Sequence, residues 1–106
     1  MSMFDADAEE AALAPPRLKI GGRVYVGRVL SRDEMRSHAA VFGDEESTEE
    51  ARYLAEVRLI RLVYGRGWRF WRPDPARAVL KLSPATLGKF RADFFAYLAR
   101  LNAAAT

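Results

Sequence analysis

The chain of 106 residues has no cysteine, one histidine and three lysines, and each scarcity closes off some chemistry. Without cysteine there is no disulfide, no thiolate zinc ligand and no thiol nucleophile. With His38 alone, a histidine-built metal cluster is impossible, and a Ser–His–Asp arrangement has a single candidate base. Ser31 and Ser37 lie near it in sequence, yet neither sits on the strand-to-helix elbow that such a nucleophile uses. A solvent-facing helical histidine is the preferred reading. No apolar run approaches the ~20 residues of a membrane span. The start, MSMFDADAEEAALAPP, is acidic where a secretory signal is basic and then apolar. A soluble, cytoplasmic protein is the expectation. The glycines of GRG at 65–67 are not followed by the Lys and Ser or Thr of a phosphate-cradling loop. No catalytic, cofactor or metal site is expected, and an enzyme is disfavoured.

Half of the residues are apolar and 29% are charged, the balance of one folded domain. The net charge of +3 is unevenly placed. Residues 1–16 carry Asp5, Asp7, Glu9 and Glu10 and no base; beyond them 17 bases face 10 acids. Fourteen of those bases are arginine, which grips phosphate in a bidentate fork. A nucleic-acid partner is therefore weighed. An Ala- and Arg-rich, Lys-poor chain is also what a GC-rich coding sequence yields, and that plainer reading is preferred.

Residues 1–16 read as a flexible acidic leader closed by Pro15-Pro16, and residues 103–106 as a frayed tail. Between them, 17–102 form the domain. RLKI-GG-RVYVGRVL predicts a β-hairpin: Leu18 and Ile20 alternate with charges, Gly21-Gly22 supplies the positive φ of a tight turn, and Val24, Tyr25 and Val26 return. Gly27 marks a bulge or a close approach. Ser31 and Glu34 match a capping box, predicting a helix over 32–42 with Met35, Ala39 and Phe42 inward and Gly43 as its stop. GDEESTEE, 43–50, reads as an acidic loop feeding a second helix, with Ser47 and Glu50 as its capping box. It lacks the ligand alternation and central glycine of a calcium loop.

That helix, 48–64, shows an apolar stripe through Leu54, Val57, Ile60 and Tyr64, widened by Tyr53, Leu59, Leu62 and Val63. Arg52 and Glu56 stand at the i,i+4 spacing of an ion pair. So apolar a helix is either central or half devoted to an oligomer contact. Asp74-Pro75 opens a short helix, and Ser83-Pro84 repeats the device for a last helix to about 102. Leu87, Phe90, Phe94, Tyr97 or Leu98, and Leu101 give the strongest periodicity in the chain, with Phe95 off that line. The expected fold is α+β and mostly helical: an N-terminal β-hairpin packed against three or four α-helices.

GRGWRFWRPDP, 65–75, admits two readings. In one, aromatics stack on bases while Arg66, Arg69 and Arg72 hold phosphates. But on an extended segment Trp68 and Phe70 share one face and Trp71 takes the other, which splits the platform. The second reading, preferred, sends Trp68 and Phe70 to the core and leaves Trp71 as a protein anchor.

The run DPARAVLKLSPATLGKFRADFFAYLARLN, 74–102, and the layout of hairpin, small capped helices and amphipathic end resemble small tail assembly chaperones of long-tailed bacteriophages. The likeness is one of layout across 17–102 and supplies no matched motif, so no binding residues are carried over. It implies a non-enzymatic chaperone that coats a long helical tape measure protein and gathers tail tube subunits, in several copies per partner. Surplus apolar helix surface suits such contacts. The candidate partner-binding residues are Trp68, Arg69, Trp71, Arg72, Phe90, Phe94 and Leu98, with a homo-oligomer as a further expectation. The rivals are a small basic nucleic-acid-binding protein and a virion part such as a head–tail connector or tail-completion subunit.

Overall fold

Two glycines set the first turn. Gly21 and Gly22 take φ of 60° and 78°, the left-handed pair that a two-residue hairpin turn requires. The computed structural model describes residues 3–65 and 74–105. The turn joins β1 (Leu18–Ile20) to β2 (Arg23–Tyr25), antiparallel, with Leu18 opposite Tyr25 and Lys19 opposite Val24. Side chains alternate, so Leu18 and Tyr25 enter the core while Lys19 and Val24 face out.

Four helices follow, three of them opened by the caps expected. In α2 (Arg32–Gly43) the capping box is complete: the Glu34 amide donates to Ser31 Oγ at 3.2 Å, and the Ser31 amide to Glu34 Oε1 at 2.9 Å. The start of α3 (Glu49–Tyr64) differs from expectation. Its cap is Thr48, whose Oγ1 accepts from the Ala51 amide at 3.1 Å. Ser47 lies one residue before that cap, in a turn closed by its amide on the Asp44 carbonyl at 3.1 Å. Asp74 caps α4 (Pro75–Leu80), with Pro75 in the first helical position. Ser83 caps α5 (Pro84–Ala105), which continues through the stretch expected to fray.

The hairpin and helices share one core. Ile60, Val63 and Val79 are fully buried, and Leu18, Tyr25, Leu30, Phe94, Tyr97 and Leu101 close around them. The fold is therefore α+β, with a two-stranded hairpin packed on a mostly helical body. Two expectations for α3 are corrected here. Leu54 and Tyr53 stay 46% and 51% exposed, on a side of α3 where Arg58 and Arg61 are exposed as well. And Glu56 does not pair with Arg52. It turns inward, 8% exposed, and takes the Arg91 guanidinium of α5 in a fork of three hydrogen bonds, 2.9–3.2 Å. Arg52 donates instead to the Asp44 carbonyl at 3.2 Å.

The chain before the hairpin divides in two. Residues Ala6–Ala12 form a helix, α1, capped by Asp5 Oδ1 on the Ala8 amide at 3.1 Å. None of its residues is buried. The chain after it belongs to the domain. Tyr97 donates its hydroxyl to the Leu13 carbonyl and Tyr64 to the Pro16 carbonyl, both at 2.7 Å. Pro15 is buried and lies against Gly27, where a Cβ would collide with the proline ring and press on Val63 and Tyr64. The close approach expected at Gly27 is thus real, and residues 13–16 pack against the body of the fold.

Gly27→Ala should therefore cost about 1–3 kcal/mol of overpacking, read as a lower urea midpoint. The control, Gly43→Ala, meets nothing within 4 Å and should leave the midpoint in place. Burial, reinforced by Tyr97, pushes the Tyr64 phenol up from 10.0 to about 12. A raised acid favours folding in its neutral form. That stability is whole below pH 10 and is lost as pH rises through 12. Tyr64→Phe should abolish that alkaline loss in denaturation curves taken across the window.

Candidate functional site

Four of the seven candidate partner residues, Trp68, Arg69, Trp71 and Arg72, lie outside the described residues. The segment that carries them begins and ends at fixed points. Gly65 closes α3 with its amide on the Arg61 carbonyl, and Asp74 opens α4. Arg61 joins the two ends through its Nε to Asp74 Oδ2 at 2.8 Å.

The other three candidates sit on α5 but do not form one surface. Phe94 is 2% exposed and is core: its ring lies 6.2 Å from Tyr64 and stacks on Phe90 at 5.3 Å and 15°. It has no area left for a partner, since it lies where α5 crosses α3. Phe90 is half-buried beside it. Leu98 faces elsewhere, into an apolar groove between α2 and α5.

This groove is built from three helices. Met35, Ala39 and Phe42 line it from α2, and Phe95, Leu98 and Ala99 from α5. Leu59 of α3 gives the floor, and His38 and Asn102 are its polar members. Its volume is about 230 Å³. An apolar cavity of about 150 Å³ accepts a benzene ring, so there is room for one leucine or phenylalanine side chain. No residue of α2 is buried, although Met35, Ala39 and Phe42 fall on one face. The face expected inward does face the body, with Met35 and Phe42 half-buried against the core, but it is not closed, and Ala39 stays exposed.

What holds α2 over the body is a few fasteners. Phe42 meets the Phe95 ring edge-on, centroids 5.3 Å apart and planes at 69°. This pair is what the sequence reading missed by setting Phe95 aside; a second phenylalanine directly after Phe94 was the available signal. At the other end, Arg28 forms an ion pair with Glu34, with Nη1 3.0 Å from Oε1. The Arg28 amide in turn donates to the Val63 carbonyl at 2.9 Å, tying the α2 approach to the last turn of α3. The Arg28 guanidinium and the Ser31 amide pull the Glu34 carboxyl down from 4.5 to about 2.

His38 is half-buried rather than solvent-facing, because it lies in the angle between α2 and its neighbours. Its Nδ1 is 2.8 Å from the Glu34 carbonyl, which can only accept, so Nδ1 carries a proton. Ser37 Oγ donates to the same carbonyl at 3.1 Å. The hydroxyl and imidazole thus share one acceptor, and this arrangement leaves Nδ1 unable to serve as a base toward Ser37.

The acidic run over 44–50 is a helix approach. Asp44 Oδ1 accepts from the Glu46 amide at 2.9 Å, and Glu49 and Glu50 lie in the first turn of α3. Among the described residues no group of three or more His, Asp or Glu is placed to hold a metal ion. No helix of the described residues is long and apolar enough to cross a membrane. Comparisons with protein-family profiles, with curated proteins and with solved structures find no match. The groove stands on its own geometry.

Because Glu34 titrates below its ordinary value, its contribution is present above about pH 4.5 and is lost as pH falls through 2. Acid denaturation followed between those values should show this loss in the native chain. Glu34→Gln should be less stable at neutral pH and flatter in acid.

Proposed function

We propose that the protein is a non-enzymatic, protein-binding assembly factor whose α2–α5 groove holds an apolar side chain from a helix of its partner. The groove itself carries this reading. Its walls are apolar, Asn102 and His38 are its polar members among the described residues, and its lips include Ala39 and Ala99. Small residues on the lips let a helix backbone come close, and the absence of Asp, Glu, Lys and Arg among the described lining residues suits an apolar, weakly charged helical face. The knob such a helix inserts would bury area now left open by α2.

The likeness in layout to phage tail assembly chaperones carries the reading further. On it, the partner is a long helical tape measure protein, tail tube subunits are recruited around it, and the factor acts in the cytoplasm, that of the host if the chain is viral. Such a contact depends on apolar burial and is only weakly sensitive to salt. A nucleic-acid contact would weaken steeply with salt.

The test is affinity capture from the native lysate, with and without nuclease, using the native chain and Ala99→Glu. Ala99 is an exposed lip residue, so the substitution blocks the groove without touching the core. A long helical protein should be retained in both halves by the native chain. Ala99→Glu should retain at least about tenfold less, the loss expected when a charge enters an apolar contact. Capture that disappears with nuclease, or that Ala99→Glu leaves intact, overturns the proposal.

A further inference from the structure

We infer that the acidic N-terminal segment of one copy docks into the groove between α3 and α4 of a second copy, joining protomers head to tail. The groove is a different face from the one assigned to the partner and does not depend on it. Tyr53, Leu54 and Val57 of α3 and Leu80 of α4 line its apolar part, with a volume of about 500 Å³. Tyr53 and Leu54 are two of the few large apolar side chains left open, at 51% and 46%. The rim is basic. Arg61 is already matched by Asp74, but Arg77 and Lys81 are exposed and have no carboxylate partner among the described residues. Arg58 adds a further charge on the far side of Leu54.

The N-terminal segment is the complement in both respects. Met3 and Phe4 are 86% and 79% exposed, the most open large apolar side chains among the described residues. Asp7, Glu9 and Glu10 follow on α1 with no cationic partner among the described residues. At seven residues, with nothing buried, α1 is far shorter than the ~12–15 residues at which an isolated helix becomes marginal in water. Docking would supply the packing it lacks. The acidic loop over 44–50 has similar charge but no large apolar side chain to fill the groove, so it is the poorer occupant.

A second copy is the acceptor proposed because, in the structure, the segment lies away from its own groove. Tyr97 and Tyr64 fix the chain at Leu13 and Pro16, and no residue of 3–12 lines the α3–α4 groove of its own protomer. Since the donor and acceptor surfaces differ, the contact is heterologous, and repetition builds an open chain or closes a ring.

Charge exchange tests this on the full chain by sedimentation velocity after nuclease treatment. The native protein should associate with rising concentration, and more weakly as salt is raised. Arg77→Glu with Lys81→Glu should weaken association at least about tenfold, as should Asp7→Lys with Glu9→Lys and Glu10→Lys. All five positions are exposed, so folding should be retained, which circular dichroism checks. Mixing the two variants should restore association, because each then offers the charge the other needs. Ala99→Glu should self-associate as the native chain does, which separates this contact from the partner groove. A native chain that stays monomeric to about 1 mM, variants that associate undiminished, or a mixture that stays apart would each overturn the inference.

Discussion

The inner side of α3 is the constraint on which the other elements depend. Ile60 and Val63 are fully buried, and the hairpin, α4 and α5 each reach that side with their own core residues: Tyr25, Val79 and Phe94. Burying such side chains contributes about 1.5–3 kcal/mol each, and in a chain this small there is no second core to compensate. Polar groups follow the same geometry. Glu56 tolerates an inward position because Arg91 reaches across from α5 with both oxygens engaged, and no buried polar side-chain atom among the described residues lacks a partner. Tyr64, at the end of the helix, completes the arrangement by holding the chain at Pro16.

The elements not committed to that core are the ones on which the proposed function rests. Helix α2 is amphipathic yet buries no residue; it is held by an aromatic edge contact and an ion pair, and so borders a groove rather than sealing it. The opposite arc of α3 keeps Leu54 open between arginines. Helix α1 carries acids and buries none of its residues, and Met3 and Phe4 before it stay open. In each case the sequence spends apolar side chains that the core does not use. That surplus, rather than any reactive group, is the ground for reading the protein as one that binds other proteins and its own copies.

Local chemistry was legible in the sequence; relations between distant segments were not. The Gly-Gly turn, the Ser31–Glu34 box, the Asp74-Pro75 start and the periodicity of α5 are short-range signals, and each falls where it was read. How Leu13 and Pro16 meet the body was not legible, because their contacts come from Tyr97 and Tyr64, 84 and 48 residues away. Glu56 was misread for the same reason: an i,i+4 arginine is visible in sequence, whereas a partner 35 residues on is not. For the site, periodicity placed Leu98 and Phe94 on one stripe, but it could not say that the stripe divides, one residue entering the core and the other a groove.

Methionine-methyl NMR of the full chain tests the central claim most directly, because Met35 lines the α2–α5 groove and Met3 stands on the exposed leader. The helical partner recovered by capture would be added at fixed, dilute protein concentration. The account expects the Met35 methyl resonance to shift with the partner in proportion to binding. A partner that binds while the Met35 resonance stays where it was would contradict it.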